Sequence, residues 1–221
     1  MGKNSILKPI QRKFLDLVLK DPYLLRKYYW TGGTVLSEIY LKHRDSQDID
    51  LFTEKEEIHL PSIKKFIGIA GSILGSKGIL HKKFYGLHSF FLKFPEEELK
   101  VDFSYYPFPR INKGGKWKKL EIDSLEDIAA NKIHTVSINP RGRDYVDIYY
   151  ILKKEGYTLD WLIKQAKAKF DWHIDPIQLG TNFARVVDFK DYPKMFVSFN
   201  PKEMENFFLK LAKSLETDIF K

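Results

Sequence analysis

The chain has 221 residues, 43% of them hydrophobic and including 17 Phe and 12 Tyr. That suits one compact domain, or a domain with a closely packed second lobe, and excludes general disorder. The absence of cysteine excludes a disulfide framework, a thiolate zinc site and a cysteine nucleophile. A formal charge of +8, from 37 Lys and Arg against 29 Asp and Glu, attracts polyanions such as nucleotides and RNA, although lysines in this number also serve simply to solubilise a surface.

Met1 to Pro9 holds no long apolar run, so no signal peptide is expected. Nothing in the chain approaches the ~20 apolar residues of a membrane span, and a cysteine-free protein suits a reducing cytoplasm, the expected location. Residues 8–27 carry a helical stripe through Phe14, Leu15, Val18 and Leu19, interrupted at Asp21-Pro22. Tyr28-Tyr29-Trp30 reads as a short buried strand, Gly32-Gly33 as a tight turn, and Val35, Leu36, Ile39 and Tyr40 as a helix. A polar loop over 43–47 leads to a strand at 48–52, and a helix over 61–74 ends at Gly75 and Gly78. Residues 81–94 and 98–106 read as strands joined by a turn at 95–97, and Asn112 to Gly115 as a further turn before Trp117–Ile122. From Ser124 the pattern turns helical, with helices predicted at 125–137, 143–154, 159–170, 176–187 and 201–216. The expected division is therefore a core over residues 1–123 and a helical lobe over 124–221.

Asp48 and Asp50 lie fourteen residues beyond the Gly32-Gly33-Thr34 turn. On a strand they share one face while Ile49 and Leu51 point to the core. Adjacent like charges need a cation, and a glycine turn lets backbone N–H groups approach an anion, so carboxylates, cation and phosphate together suggest metal-dependent phosphoryl or nucleotidyl transfer. In 99–105 the same alternation puts Leu99, Val101, Phe103 and Tyr105 on one face and Lys100, Asp102 and Ser104 on the other. Three converging carboxylates suit two divalent cations about 3.5–4 Å apart, and oxygen ligands favour Mg²⁺ or Mn²⁺. Asp102 could also take a proton from an attacking hydroxyl.

On the helix after Ser124, Lys132 falls near the centre of the apolar arc formed by Leu125, Ile128, Ala129, Ile133 and Val136. A lysine there snorkels or meets an anion, and triphosphate is a candidate. Asp144 and Asp147 follow one turn apart. Asp144 can complement a helix N-terminus, whereas Asp147 lies deeper among Ile148 and Ile151 and needs a partner, Arg143, Lys132 or a metal-bound ligand being candidates. No H-E-x-x-H, G-x-S-x-G or P-loop is present. Lys113, Lys116, Lys118 and Lys119 around Trp117 read as a hairpin tip that is solvated or touches RNA.

Thr31-Gly-Gly-Thr-Val-Leu36, His43-Arg-Asp-Ser-Gln-Asp-Ile-Asp-Leu-Phe52, the Asn131-Lys132 helix and Arg143-Asp-Tyr-Val-Asp-Ile-Tyr149 resemble the AbiEii/AbiGii toxin nucleotidyltransferases, of the DNA polymerase β-like superfamily. The resemblance covers about residues 28–150. It implies an α+β fold, a mixed sheet with flanking helices followed by a C-terminal helical lobe. It implies Asp48, Asp50 and Asp102 as metal ligands for Mg²⁺ (or Mn²⁺), Gly32, Gly33 and Thr34 as phosphate holders, Lys132 as an NTP contact and Asp147 as a downstream active-site carboxylate. Gly33 stands where many nucleotidyltransferases carry Ser. The resemblance further implies transfer of NMP from an NTP to an acceptor hydroxyl, with RNA, and tRNA in particular, as the acceptor. The setting it implies is a bacterial toxin–antitoxin or abortive-infection system with a cognate antitoxin. Two rival readings are a catalytically silent NTP- or RNA-binding partner protein and a small-molecule nucleotidyltransferase; an acidic acceptor groove favours the latter and a basic one favours RNA.

Overall fold

The computed structural model describes residues 5–154 and 156–215, so residue 216 of the last predicted helix lies outside the described residues. The chain forms two compact units. Unit 1 comprises Met1–Tyr40, Ser46–Pro109 and Lys113–Ser124; unit 2 comprises Leu41–Asp45, Arg110–Asn112 and Leu125–Lys221. Short excursions of the chain therefore place 41–45 and 110–112 with the helical residues.

Unit 1 is built on a seven-stranded mixed sheet. Its strands are β1 (Tyr29–Thr31), β2 (Ile49–Thr53), β3 (Gly78–Phe84), β4 (Leu87–Lys93), β5 (Glu98–Tyr105), β6 (Lys113–Trp117) and β7 (Leu120–Asp123). The order across the sheet is β3-β4-β5-β2-β1-β7-β6. The β2–β5 and β1–β7 pairs are parallel; the remaining pairs are antiparallel. Helices α1 (Pro9–Val18), α2 (Pro22–Lys27), α3 (Gly32–Val35) and α4 (Leu60–Leu74) belong to this unit, α3 running on into a π-helical turn over Leu36–Leu41. Asp21 caps α2 by accepting from the Tyr23 and Leu24 N–H groups, with Pro22 at the first helical position. Phe14, Trp30, Ile49, Leu51, Phe90 and Phe103 are buried to 1% exposure or less. Phe14 meets Phe66, and Phe90 meets Phe103, edge to face.

Two local expectations are corrected. The stretch 81–94 is not one strand but the hairpin β3–β4, which turns at Tyr85-Gly86, with Tyr85 at φ 50°. Gly86 was the turn signal inside that apolar run. The Gly32-Gly33 pair does not stand before a helix as a free turn; it forms the first residues of α3 itself.

Unit 2 contains α5 (Leu125–Ile138), α6 (Gly142–Lys154), α7 (Leu159–Phe170), α8 (Pro176–Ala184), which tightens into a 3₁₀ turn over Arg185–Asp188, and α9 (Pro201–Ser214). Asp175 and Asn200 cap α8 and α9 just ahead of Pro176 and Pro201, repeating the device that starts α2. The predicted apolar arc of α5 is buried throughout. Tyr145, Phe183 and Phe208 fill the unit's core. The Asn182 amide donates to the Val136 and Ser137 carbonyls at 2.9 and 3.0 Å, satisfying the end of α5. Asp127 is wholly buried and accepts from the Ile111 and Asn112 N–H groups and from the equally buried Lys169 ammonium, fastening the 110–112 segment.

Candidate active site

The sheet of unit 1 delivers the three predicted carboxylates to one neighbourhood of strands. On the parallel pair β2–β5, Asp50 stands opposite Asp102; on the antiparallel pair β1–β2 it stands opposite Thr31. Period-2 alternation puts Ile49, Leu51, Val101 and Phe103 into the core and turns the aspartates to the other face. Asp48 lies one residue ahead of β2 and is half-buried, as is Asp50; Asp102 is 5% exposed. Asp102 Oδ1 is buried without a hydrogen-bond partner, although a buried carboxylate oxygen normally has one.

Gly32 has φ +80°, and a Cβ built on it would lie 2.0 Å from Asp50 Oδ2. Only glycine both adopts this backbone and leaves the Asp50 carboxylate room. The buried Thr34 hydroxyl bonds the Asp48 carbonyl and the Ser46 hydroxyl, the latter at 2.9 Å, so this side chain fixes the approach to Asp48.

A cation that the residue pattern did not single out completes this cluster. Lys100 Nζ donates to Asp102 Oδ2 at 2.6 Å and lies 3.5 Å from Asp48 Oδ2. Burial works against its ammonium, but the hydrogen bond and charge of Asp102, with Asp48 and Asp50 behind it, outweigh burial and hold its pKa above the ordinary lysine value. Among the described residues no three His, Asp or Glu side chains are gathered as a ready metal cage. At this cluster the Lys100 ammonium answers part of the negative charge. The donors nevertheless suit a hard divalent cation: all are carboxylate oxygens, and one of them, Asp102 Oδ1, is buried without a partner. Beside this cluster a cavity of about 330 Å³ is lined by Asp48, Glu96, Glu97 and Glu98 against Lys8 and Lys100.

The other predicted residues lie in unit 2. Asp147 on α6 is fully buried. Its Oδ1 accepts from His43 Nε2 at 2.8 Å and Arg44 Nε at 2.6 Å, and its Oδ2 meets Arg44 Nη2 at 2.7 Å and Lys132 Nζ at 2.7 Å. Those four donors match the lone-pair capacity of a carboxylate. Lys132, on α5, also donates to Asp144 Oδ1 at 2.8 Å, and Arg141 Nε reaches Asp144 Oδ2 at 2.8 Å. Burial alone would raise the Asp147 pKa; Arg44 and Lys132 reverse this and hold it well below the usual carboxylate range. Asp144 is lowered in the same way, against burial, by Lys132 and Arg141. Burial lowers the His43 pKa more than Asp147 raises it, leaving a neutral imidazole whose Nε2–H faces the carboxylate. The inward lysine thus meets anions, and they are Asp144 and Asp147. A guanidinium that reaches Asp147 belongs to Arg44, held in place where the Phe196 N–H bonds the His43 carbonyl and the Asp45 N–H bonds the Lys194 carbonyl. Adjacent His43 and Arg44 in a polar loop gave no periodic signal of burial.

A family profile described as "Nucleotidyl transferase AbiEii toxin, Type IV TA system" matches residues 19–216, most of the chain. The chain belongs to this family. It is a toxin-type nucleotidyltransferase, and membership of a Type IV toxin–antitoxin family implies a cognate antitoxin. Two solved Helicobacter pylori structures share the fold. One, described as a candidate nucleotidyltransferase, aligns with a TM-score of 0.60 at 20% identity over 95% of this chain and 92% of its own. The other, JHP933, aligns with a TM-score of 0.58 at 20% identity over 95% of this chain and 90% of its own. No curated protein matches the chain. Among the described residues no helix is long and apolar enough to cross a membrane.

Proposed function

We propose that this AbiEii-family nucleotidyltransferase moves NMP from an NTP to a hydroxyl of RNA, with tRNA as the acceptor, in the cytoplasm. One observation carries the reading. Asp50 and Asp102 stand side by side on parallel strands, and Asp102 keeps a buried oxygen unpartnered. Asp48, Asp50 and Asp102 would hold Mg²⁺ or Mn²⁺, which would supply positive charge to offset that on the α-phosphate and the leaving pyrophosphate. Asp102 accepts the proton of the acceptor hydroxyl. The freed oxygen bonds to the α-phosphorus as the bond to pyrophosphate breaks. Backbone N–H groups of Gly32, Gly33 and Thr34 hold phosphate, the Thr34 hydroxyl being engaged with the 46–48 segment. Lys132 contacts the NTP, and Asp147 serves by holding Lys132 and Arg44, its own lone pairs being taken. The charge of +8 supports RNA as the acceptor.

A second reading rests on the cavity at Asp48. Its four carboxylates against two lysines favour a cationic small-molecule acceptor. Incubation with each labelled NTP, Mg²⁺ and either total RNA or a polyamine-rich small-molecule pool separates the two. Label in RNA is the expected result, and label only in the small-molecule pool would replace the first reading with the second. Undiminished incorporation by Asp50→Asn would remove the mechanism from both.

A further inference from the structure

Lys100 is two residues ahead of Asp102 on β5, so strand alternation fixes both side chains on one face. Its ammonium lies 2.6 Å from Asp102 Oδ2 and 3.5 Å from Asp48 Oδ2, touching two of the three carboxylates read as cation ligands. The contact is tethered, so this ammonium cannot be diluted away. It is also not locked: the Lys100 side chain is 30% exposed, and a four-carbon stem lets its head move without any change in the strand. The same side chain lines the cavity carrying Glu96, Glu97 and Glu98, so acidic surroundings remain available to a displaced ammonium.

We propose that Lys100 is a resident counter-ion of the carboxylate cluster, which a divalent cation must displace from Asp102 Oδ2 before it can take that oxygen. This rests on reading Asp48, Asp50 and Asp102 as cation ligands. Its positive charge offsets those of Asp48 and Asp102 in the resting protein, and arrival of a doubly charged ion turns Lys100 out. A metal ion alone must exchange the Lys100–Asp102 hydrogen bond for looser contacts with the exposed glutamates of the cavity. An ion that arrives with NTP brings phosphate oxygens as new partners for the released ammonium. Lys100 thereby makes metal binding weak without nucleotide and strong with it.

The test is a titration of the full chain with Mn²⁺, reading free Mn²⁺ by electron paramagnetic resonance, with and without a non-hydrolysable NTP analogue. Without nucleotide, Lys100→Met should bind Mn²⁺ about tenfold tighter than the unsubstituted chain, the worth of one charge-assisted hydrogen bond no longer broken. Lys100→Arg, which keeps the charge, should stay weak, and the analogue should tighten Mn²⁺ binding less in Lys100→Met than in the parent. Acylation of Lys100, followed by mass spectrometry, should speed up when Mn²⁺ is added to the parent. Equal or weaker Mn²⁺ binding by a folded Lys100→Met, with binding still lost in Asp102→Asn, would overturn the counter-ion role and leave the cation-ligand reading intact. Failure of parent and Lys100→Met alike to bind Mn²⁺ at this cluster would overturn both.

Discussion

Asp102 on β5 and Asp147 on α6 are both buried aspartates, and they are provided for in opposite ways. Asp147 has four donors on two oxygens; Asp102 has a lysine on one oxygen and nothing on the other. A saturated buried carboxylate contributes to its unit's stability and has no capacity left to bind. An under-satisfied one is costly to the fold and retains that capacity, as expected where catalysis needs a ligand site. On the proposed function, binding and proton transfer fall to the strand carboxylates of unit 1, while the helix carboxylates of unit 2 hold the cationic side chains of their own unit.

If that division holds, substitutions in the two places should fail differently. Asp50→Asn removes a charge from a half-exposed strand position, so nucleotidyl transfer should fall on the order of 10³-fold while the melting temperature stays near that of the parent. Full activity in this variant would remove the binding role from Asp50. Asp147→Asn leaves Arg44 buried without its counter-charge, and breaking such a pair costs about 3–5 kcal/mol. Chemical denaturation should show that loss directly. An Asp147→Asn protein of parental stability but without activity would place Asp147 among the reacting groups instead.

Legibility in the sequence followed local pattern, not that division. Strand alternation carries its own signal, so Asp48, Asp50 and Asp102 could be gathered from spacing alone, and the apolar arc of α5 pointed Lys132 inward. The Asp21-Pro22 pair marked the start of α2. Long-range pairing left no such signal. Nothing local in His43-Arg44 says that both side chains are buried on Asp147, more than a hundred residues away. Lys100 read as an ordinary polar residue of an amphipathic strand: alternation put it on the face of Asp102, but its approach to Asp48 depends on the parallel β2–β5 register. The β3–β4 turn was missed for a different reason: apolar residues on both sides of Gly86 outweighed a single turn residue.

Gly32→Ala probes the unit 1 cluster more gently. A positive φ costs a non-glycine residue roughly 1–2 kcal/mol, and the added methyl would press on Asp50 Oδ2. Stability should fall by about that amount, while transfer falls more steeply because the displaced group is a proposed cation ligand. Loss of stability with unchanged transfer would show that the Asp50 position tolerates movement.

The smallest effect concerns pH and unit 2. His43, Asp144 and Asp147 all have folded-state pKa values below their ordinary ones. For each, the folded form binds its proton less readily than the unfolded chain does, so its stabilising contribution is complete above the unfolded value and declines as the pH falls. His43 begins to withdraw its contribution below about pH 6.5, and the two aspartates withdraw theirs only below about pH 4. Denaturation midpoints should therefore fall in two stages on acidification. His43→Gln keeps a neutral donor for Asp147 but cannot titrate, so it should shrink the upper stage, to which His81, His88 and His134, also lowered by burial, contribute the rest, and leave the lower one. An unaltered upper stage in that variant would mean that another group titrates there, and that the neutral imidazole on Asp147 does not couple to folding.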